Sequence, residues 1–242
     1  MKDFSDHKFR CSSLGAIMTN QRGKTDTKTI DALSDTAKDE LLKIYVEAVY
    51  GRRKEIQSKY LEKGVECEED SITLLSTLKD KFLLKNAERF TNDYITGEPD
   101  VLEPLIDTKS CWDIHSFFKH KTQPLKKDYE FQMLGYCELT KQSHGTVAFC
   151  LIDTPLGLIE DEKRKLFYKM NVPTMENPEY LAACEQLEKK MTFGDIPMEE
   201  RVHEVKVRYS ATMISQVYNR IDLCREWLNE FAKTNQPKLI TT

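Results

Sequence analysis

The stretch "HGTVAFCLID", residues 144–153, constrains the fold more than any other segment because it is almost continuously apolar. A short apolar run of this kind is typical of a strand that is covered on both faces, as in the middle of a sheet. The segment "KDYEFQMLGYCELTK" before it and residues 156–192 after it have helical spacing, the second in two pieces. A buried strand between helices predicts an α/β protein in which helices cover a sheet.

The remaining segments predict further helices and strands. A helix is expected from Ser34 onward, with Ser34 or Asp35 as its N-cap and an end or a kink at Gly51. A second helix is expected in "YLEKGVECEEDSITLLSTLKDKF". Two or three antiparallel strands are expected in "RFTNDYITGEPDVLEPLIDTKS", an alternating strand in "RVHEVKVRYS" and a long amphipathic helix in "SATMISQVYNRIDLCREWLNEFAK". We predict one domain over residues 1–242, made of a helical part at 1–60, a core at 61–155, C-terminal helices with an edge strand at 156–234 and a tail at 235–242.

The composition bears on the compartment and on the partner. The chain of 242 residues has no apolar run near the about 20 residues that a membrane span needs, and its N-terminus lacks the apolar segment of a secretory signal. Its seven cysteines form no CxxC pair, which favours free thiols in a reducing, cytoplasmic compartment. The net charge of -4 argues mildly against an acidic partner such as DNA, unless bound cations neutralise some carboxylates.

Charged residues interrupt "GEPDVLEPLIDTKS", a stretch that otherwise favours a buried hairpin. A tight turn near Glu103 and Pro104 would place Asp100 roughly opposite Asp107, where two like charges destabilise each other. Strand alternation puts Lys109 on the same face as Asp107. Two carboxylates at a strand end suit a hard cation such as Mg²⁺ or Mn²⁺, and a lysine beside a bound metal can orient or deprotonate a water molecule. The alternative is a surface hairpin with solvated charges.

Two flanking helices carry further polar side chains. In "KGVECEED" the acids crowd the start of a helix, where the macrodipole favours them as capping residues, although one could face inward as a third metal ligand. In "YEFQMLGYC", Gln132 and Tyr136 are spaced i, i+4 and share one face of an apolar helix. A half-buried amphipathic face is the alternative to a glutamine that holds the lysine, a water molecule or a phosphate oxygen.

In chain order, these segments resemble the motifs of the PD-(D/E)xK nuclease superfamily, and most closely the branch with phage lambda exonuclease, YqaJ-like viral recombinases and RecB-type nuclease domains. "KGVECEED" is similar to the G-x-x-x-E motif, "GEPDV" to the Pro-Asp motif, "IDTKS" to the D/E-x-K motif and "QMLGY" to the Q-x-x-x-Y motif, and "FRCSSLGAIMT" resembles the N-terminal stretch of this branch. The motifs run from Gly64 to Tyr136, and the third has Asp107 where many members have glutamate. The resemblance implies a restriction-endonuclease-like core with a mixed central sheet flanked by helices.

The resemblance also implies roles for individual residues. It implies one or two Mg²⁺ (or Mn²⁺) ions held by three carboxylates and one backbone carbonyl, those of Glu68, Asp100, Asp107 and Thr108. Lys109 would position the attacking water, and Gln132 and Tyr136 would shape the site.

Candidate DNA contacts lie at both sides of these motifs. Arg10, Ser12 and Ser13, in the segment that resembles the N-terminal stretch of the branch, would bind a terminal 5′-phosphate, unless they only cap a helix. Lys119, Lys121, Lys126 and Lys127 in "FFKHKTQPLKK" would follow the DNA backbone, unless they belong to a solvated loop. Three histidines without metal-ligand spacing are expected to be structural, namely His115, His120 and His144.

The activity implied by the resemblance is phosphodiester hydrolysis at the ends of duplex DNA, as in a metal-dependent exonuclease of the phage recombination type. Such an enzyme resects ends so that a single-strand annealing protein can load. Members of the lambda type form rings around DNA, so a homo-oligomer is expected, in a bacterial cytoplasm and encoded by a host or a phage. The alternatives are an endonuclease of the same fold and a catalytically silent DNA-binding module.

Overall fold

The computed structural model describes residues 2–23, 29–54 and 58–236, and in it two three-stranded sheets are flanked by helices. The first sheet contains, in spatial order, β1 (Phe9–Arg10), β3 (Ile95–Gly97) and β2 (Phe90–Thr91). The second sheet contains, in spatial order, β4 (Ile106–Ser110), β5 (His144–Cys150) and β6 (Val202–Arg208). Each sheet has one parallel and one antiparallel pair, so the predicted α/β class with mixed strand directions is confirmed.

Helices surround both sheets. They are α1 (Leu14–Ile17), α2 (Asp35–Tyr50), α3 (Lys59–Glu66), α4 (Glu68–Leu78), α5 (Ile114–Thr122), α6 (Lys127–Thr140), α7 (Leu156–Met170), α8 (Pro178–Met191) and α9 (Ala211–Thr234). The end signals predicted for α2 are confirmed, because the Ser34 side chain accepts a hydrogen bond from the amide of Ala37 and Gly51 adopts a left-handed conformation. No helix in the described part of the chain is long and apolar enough to cross a membrane.

The strand β5 is central in the second sheet, as its apolar sequence predicts. Val147 and Phe149 belong to one hydrophobic cluster, which includes residues of α6 and α9. Ala148 and Cys150 belong to a second cluster, to which α4 contributes. Alternate residues of β5 are therefore buried on opposite faces, which explains why the strand has no polar face.

The prediction of one antiparallel set of strands in residues 89–110 is only partly right. Strands β2 and β3 pair antiparallel, but β4 lies in the other sheet and pairs in parallel with β5. In place of the expected hairpin there is an isolated antiparallel β-bridge, in which Val101 and Ile106 exchange two backbone hydrogen bonds of 3.0 Å. Parallel pairing requires a long crossover connection, here α5 and α6, and strand alternation carries no information about which strand will be the partner.

The predicted long helix after residue 60 is divided into α3 and α4. The break is at Cys67, which is buried and has φ -93° and ψ 7°. It gives α4 its own N-terminus, with Glu68, Glu69 and Asp70 in the first turn. Helical spacing continues on both sides of the break, so periodicity alone predicts one helix.

The N-terminal segment contributes more to the core than its polar composition indicates. Phe4, Phe9, Leu14 and Ile17 are all buried in the first hydrophobic cluster. Helix α1 packs directly on α6, because a Cβ atom added at Gly15 would lie 2.4 Å from the Cα atom of Asp128. All seven cysteines are buried and free. Of the predicted tail, residues 237–242 lie outside the described residues.

Candidate active site

A cleft of about 660 Å³ lies beside β4, between the region of α3 and α4 and the first half of α6. It is lined by every side chain that the resemblance assigned to catalysis or metal binding, namely Glu68, Asp100, Asp107, Thr108, Lys109, Gln132 and Tyr136. These residues come from four segments of the chain, and Glu68 and Tyr136 are 68 positions apart. The fold therefore gathers the four motifs at one surface.

Asp107 is the most enclosed carboxylate of the cleft, with 2% of its surface exposed. The Nζ atom of Lys109 lies 2.5 Å from its Oδ2 atom, because the two residues are two positions apart on the same face of β4. Gln132 donates from Nε2 to Oδ1 of Asp107 at 3.3 Å and to the hydroxyl of Tyr136 at 2.9 Å. One turn of α6 thus places the Gln132 amide next to the Asp107 carboxylate and the Tyr136 hydroxyl next to that amide.

The charges of Asp107 and Lys109 are coupled by their burial. Burial raises the pKa of Asp107 to about 6, although the Lys109 ammonium acts against this increase, and the nearby Asp100 carboxylate adds to it. Burial by itself lowers the pKa of Lys109, but the attraction of Asp107 outweighs that effect, so the pKa is raised. Lys109 is therefore a stable cation, and the Asp107 carboxylate is an anion that an additional cation would stabilise.

Asp100 contacts β4 at Thr108. Its Oδ2 atom accepts hydrogen bonds from the amide and the hydroxyl of Thr108, at 2.6 Å and 2.7 Å. This contact depends on the bridge between Val101 and Ile106, which brings Asp100 next to the start of β4. The Oδ1 atom of Asp100 has no hydrogen-bond partner among the described residues, so it is available to a ligand in the cleft.

Glu68 lies at the edge of the cleft rather than beside the other two carboxylates. It is the first residue of α4, its side chain is 28% exposed, and its carboxylate lies 3.3 Å from the Nζ atom of Lys85. Within residues 2–23, 29–54 and 58–236, no three histidine, cysteine or acidic side chains are close enough to form a ready metal site. Two carboxylates are thus placed at β4, and the third is held by a lysine.

The donor atoms at β4 fit a hard divalent cation. They are the carboxylate oxygens of Asp100 and Asp107 and the carbonyl oxygen of Thr108, the residue after Asp107. Oxygen donors of this kind are preferred by Mg²⁺ and Mn²⁺. The buried charge of Asp107 and the available Oδ1 atom of Asp100 both favour such an ion. Glu68 could join them if its ion pair with Lys85 opened.

The predicted phosphate ligands are only partly brought to this cleft. Ser12 lines it and also lines a neighbouring cleft of about 460 Å³, to which Arg10 and Ser13 belong. The hydroxyl of Ser13 donates to Glu40 at 2.7 Å, so this group already has an acceptor. Lys119 and Lys121 lie in the last turn of α5 and do not line the cleft.

On one side of the cleft, sequence reasoning identified Lys126 as a candidate DNA contact but missed His120 and Tyr129. We call His120, Lys126 and Tyr129 the basic side of the cleft; all three line it, as does the exposed Asp128. The ring of Tyr129 lies 5.5 Å from the Nζ atom of Lys109. Tyr129 precedes Gln132 by three residues, and this helical spacing is a signal that could have identified it. His120, which was expected to be structural, has no such signal.

A buried lysine lies behind the cleft. Lys63 is 1% exposed, and its Nζ atom donates to the hydroxyl of Thr154 at 2.9 Å and to the carbonyl of Trp112 at 3.2 Å. None of the ion pairs among the described residues includes it. The ammonium group contacts neutral oxygens and the rings of Trp112 and Phe193, and the attraction of Asp153 and Asp113 is weaker than the effect of burial. Burial consequently lowers the pKa of Lys63 to about 8.

The lowered pKa of Lys63 predicts a pH-dependent contribution to stability. An unfolded lysine has a pKa of about 10.4, so between about pH 8 and this value the unfolded chain binds more protons than the folded chain. Stability due to this residue must then increase with pH. We expect the difference in unfolding free energy, wild type minus Lys63→Met, to rise by about 3 kcal/mol across this window in chemical denaturation.

The control for this measurement is Lys206→Met, which removes an exposed lysine from β6. Its stability curve should run parallel to that of the wild type over the same pH range. If the difference in unfolding free energy between wild type and Lys63→Met does not change with pH, the lowered pKa of Lys63 is contradicted.

The sheet order, the helices on both faces and the cleft at β4 define the restriction-endonuclease-like fold. The structural neighbours of the chain are exonucleases. A phage-related exonuclease from Haemophilus somnus matches with a TM-score of 0.73 and 27% sequence identity, over 94% of this chain and 96% of that one. An alkaline exonuclease from Laribacter hongkongensis matches with a TM-score of 0.60 and 12% identity, over 95% of this chain and 92% of that one.

The same Laribacter exonuclease in complex with dAMP also matches, with a TM-score of 0.60 and 12% identity over 94% of this chain and 90% of that one. No family model matches the sequence, and no curated protein matches it significantly. The likeness to solved structures extends over nearly the whole chain, so the fold is shared from end to end and not only around the motifs.

Proposed function

We propose that this chain is a metal-dependent DNA exonuclease of the phage recombination type, which hydrolyses phosphodiester bonds at the ends of duplex DNA. The observation that carries the proposal is the network of Asp107, Lys109 and Gln132 beside Asp100, in one cleft. The similarity to a phage-related exonuclease over almost the full length supports the same activity. An endonuclease of the same fold and a silent DNA-binding module are the outcomes that the test must separate from it.

The chain's own residues have distinct tasks in this proposal. Asp100, Asp107 and the carbonyl of Thr108 would hold Mg²⁺ or Mn²⁺, one or two ions, with Glu68 as a further ligand. The metal, when bound, stabilises negative charge on the attacking and leaving oxygens of the phosphodiester. Lys109, as a cation, orients the attacking water.

Gln132 and Tyr136 keep the buried carboxylate of Asp107 in place, since the side-chain amide of Gln132 donates to Asp107 and to the hydroxyl of Tyr136. The net charge of -4 does not exclude DNA under this proposal, because bound cations offset the carboxylates of the cleft. We further propose a cytoplasmic location, which suits seven buried free thiols. We also propose that the chain forms a homo-oligomer and that it acts together with a single-strand annealing protein.

The experiment that tests this function is digestion of linear and covalently closed duplex DNA by the purified full chain. Parallel reactions contain Mg²⁺, Mn²⁺ or EDTA, and an Asp107→Ala preparation controls for contaminating nucleases. We expect loss of linear DNA with either metal, survival of closed circles, and no cleavage with EDTA or with the variant. Cleavage of closed circles would favour the endonuclease, and no cleavage in any condition would favour the binding module.

A further inference from the structure

We propose that His120 binds a phosphate group of the DNA strand in the cleft. This inference rests on the proposed function and assigns a substrate contact to a residue outside the four motifs. It concerns the basic side of the cleft, where His120 and Lys126 face the same space as Asp100 and Asp107.

The position of His120 is fixed by the strand that carries the network of Asp107. Helix α5 begins four residues after the end of β4, and Asp113 caps it by accepting a hydrogen bond from the amide of Ser116 at 2.7 Å. Phe117 anchors the helix in the core at 1% exposure. His120 lies one turn further on, so its distance from β4 is set by a short connection and a buried side chain.

The imidazole is held in a defined orientation. Its ring stacks on Phe149 with centroids 4.1 Å apart and an interplanar angle of 10°. Phe149 is the residue of β5 that pairs with Lys109 of β4, so the stack lies beside the lysine of the network. The ring of Tyr129 lies 6.0 Å from that of His120 on the side of α6. Stacking holds the ring plane but uses neither ring nitrogen.

Both ring nitrogens of His120 are available to a ligand. Neither has a hydrogen-bond partner in the described part of the chain, and the half-buried ring lines the cleft. A neutral imidazole donates one N–H group, and an imidazolium donates two. With Lys126 beside it, His120 offers hydrogen-bond donors to an anion, in a cleft that the carboxylates of Asp100, Asp107 and Asp128 also line. A phosphate oxygen is the acceptor that a DNA strand would bring.

The electrostatic surroundings predict how this contact depends on pH. Burial lowers the pKa of His120, and the positive charges of Lys126 and Lys119 and the neighbouring His203 lower it further. The titratable groups near the ring are Lys126, Lys119, His203 and Tyr129, and the exposed Asp128 lines the same cleft. A bound phosphate would favour the protonated ring, so the affinity for DNA should increase as the pH falls through the pKa of the complex.

Three substitutions separate a phosphate contact from a packing role. His120→Ala removes the ring, His120→Phe keeps the stack on Phe149 without nitrogen atoms, and His120→Gln keeps an N–H donor that does not titrate. His115→Gln is the matched control, because His115 lies on the same helix, is exposed and does not line the cleft. Melting curves of all variants verify that the chain is folded.

Binding is measured by fluorescence anisotropy with a short, labelled, 5′-phosphorylated duplex, from about pH 5.5 to about pH 8.5. All proteins carry Lys109→Ala, so that the probe is not cut. We expect His120→Ala and His120→Phe to raise Kd about tenfold, and His120→Gln to raise it less. All three should lose the increase in affinity at low pH, whereas His115→Gln keeps it. With Lys109 restored, His120→Phe should raise KM and leave kcat nearly unchanged.

The two proposals can fail separately. If His120→Phe binds the probe like its parent and keeps the pH dependence, His120 only packs against Phe149 and this inference is wrong, whether or not the wild type cleaves DNA. If the wild type does not cleave DNA and His120→Phe nevertheless weakens binding, the phosphate contact is supported and the proposed exonuclease activity is wrong. If His120→Ala does not fold, the comparison of the phenylalanine and glutamine variants decides the question.

Discussion

Replacement of Lys109 by alanine is expected to reduce DNA cleavage about a thousandfold, within the range that a group acting on an attacking water contributes. The Nζ atom of Lys109 is the cationic group in contact with Asp107, at 2.5 Å, and the ring of Tyr129 confines it from another side. Lys126 also lines the cleft but belongs to the turn before α6, so it cannot take this place without a change of the backbone. The measurement is single-turnover digestion of linear duplex DNA with Mg²⁺.

The same variant should fold but be less stable at neutral pH. Removing the ammonium leaves the Asp107 carboxylate buried without its ion pair, a change that costs about 3 kcal/mol in comparable buried pairs. Lys206→Ala, an exposed lysine on β6 of the same sheet, is the control and should cleave and unfold like the wild type. Full activity of Lys109→Ala would remove this residue from the proposed site.

Replacement of Asp107 by asparagine is expected to abolish cleavage to a similar extent and also to remove a stabilising effect of Mg²⁺. Asparagine keeps the shape and accepts a hydrogen bond from Gln132, but it carries no charge to hold a cation. If Mg²⁺ binds the folded wild type, it should raise the free energy of unfolding by about 3 kcal/mol at roughly a hundred times its Kd. Asp107→Asn should show no such increase in thermal denaturation with and without EDTA.

The control for this second change is Asp161→Asn, which removes an exposed carboxylate from α7. It should retain cleavage and the response to Mg²⁺. Equal stabilisation of Asp107→Asn and wild type by Mg²⁺ would show that the ion binds elsewhere. A stable but inactive Asp107→Asn that still responds to Mg²⁺ would reassign Asp107 from metal binding to the orientation of Lys109.

Local patterns were sufficient to predict most elements of the fold. The helix α2 carries its end signals in Ser34 and Gly51, and β5 carries its burial in an uninterrupted apolar run. These features depend on neighbours in the chain, so periodicity and capping chemistry report them directly. The break at Cys67 could not be predicted because helical spacing continues through it.

Within the candidate site, contacts between residues that are close in the chain could be predicted, whereas contacts between distant residues could not. The contact of Asp107 with Lys109 follows from strand alternation, and the contact of Gln132 with Tyr136 follows from helical spacing. The ion pair of Glu68 with Lys85 and the stack of His120 on Phe149 join residues that no local period relates. Sequence reasoning accordingly expected Glu68 among the metal ligands and left His120 outside the site.

The sequence by itself determined the α/β class, the buried strand β5, and the spacing that sets an aspartate and a lysine side by side on β4. It did so because alternation in strands and the helical repeat are properties of the local backbone. Only the tertiary structure decided that β4 pairs in parallel with β5, that the chain forms two sheets, and that α5 brings a histidine over the cleft. Those features depend on which distant surfaces bury each other, and that choice is made by the packing of the whole chain.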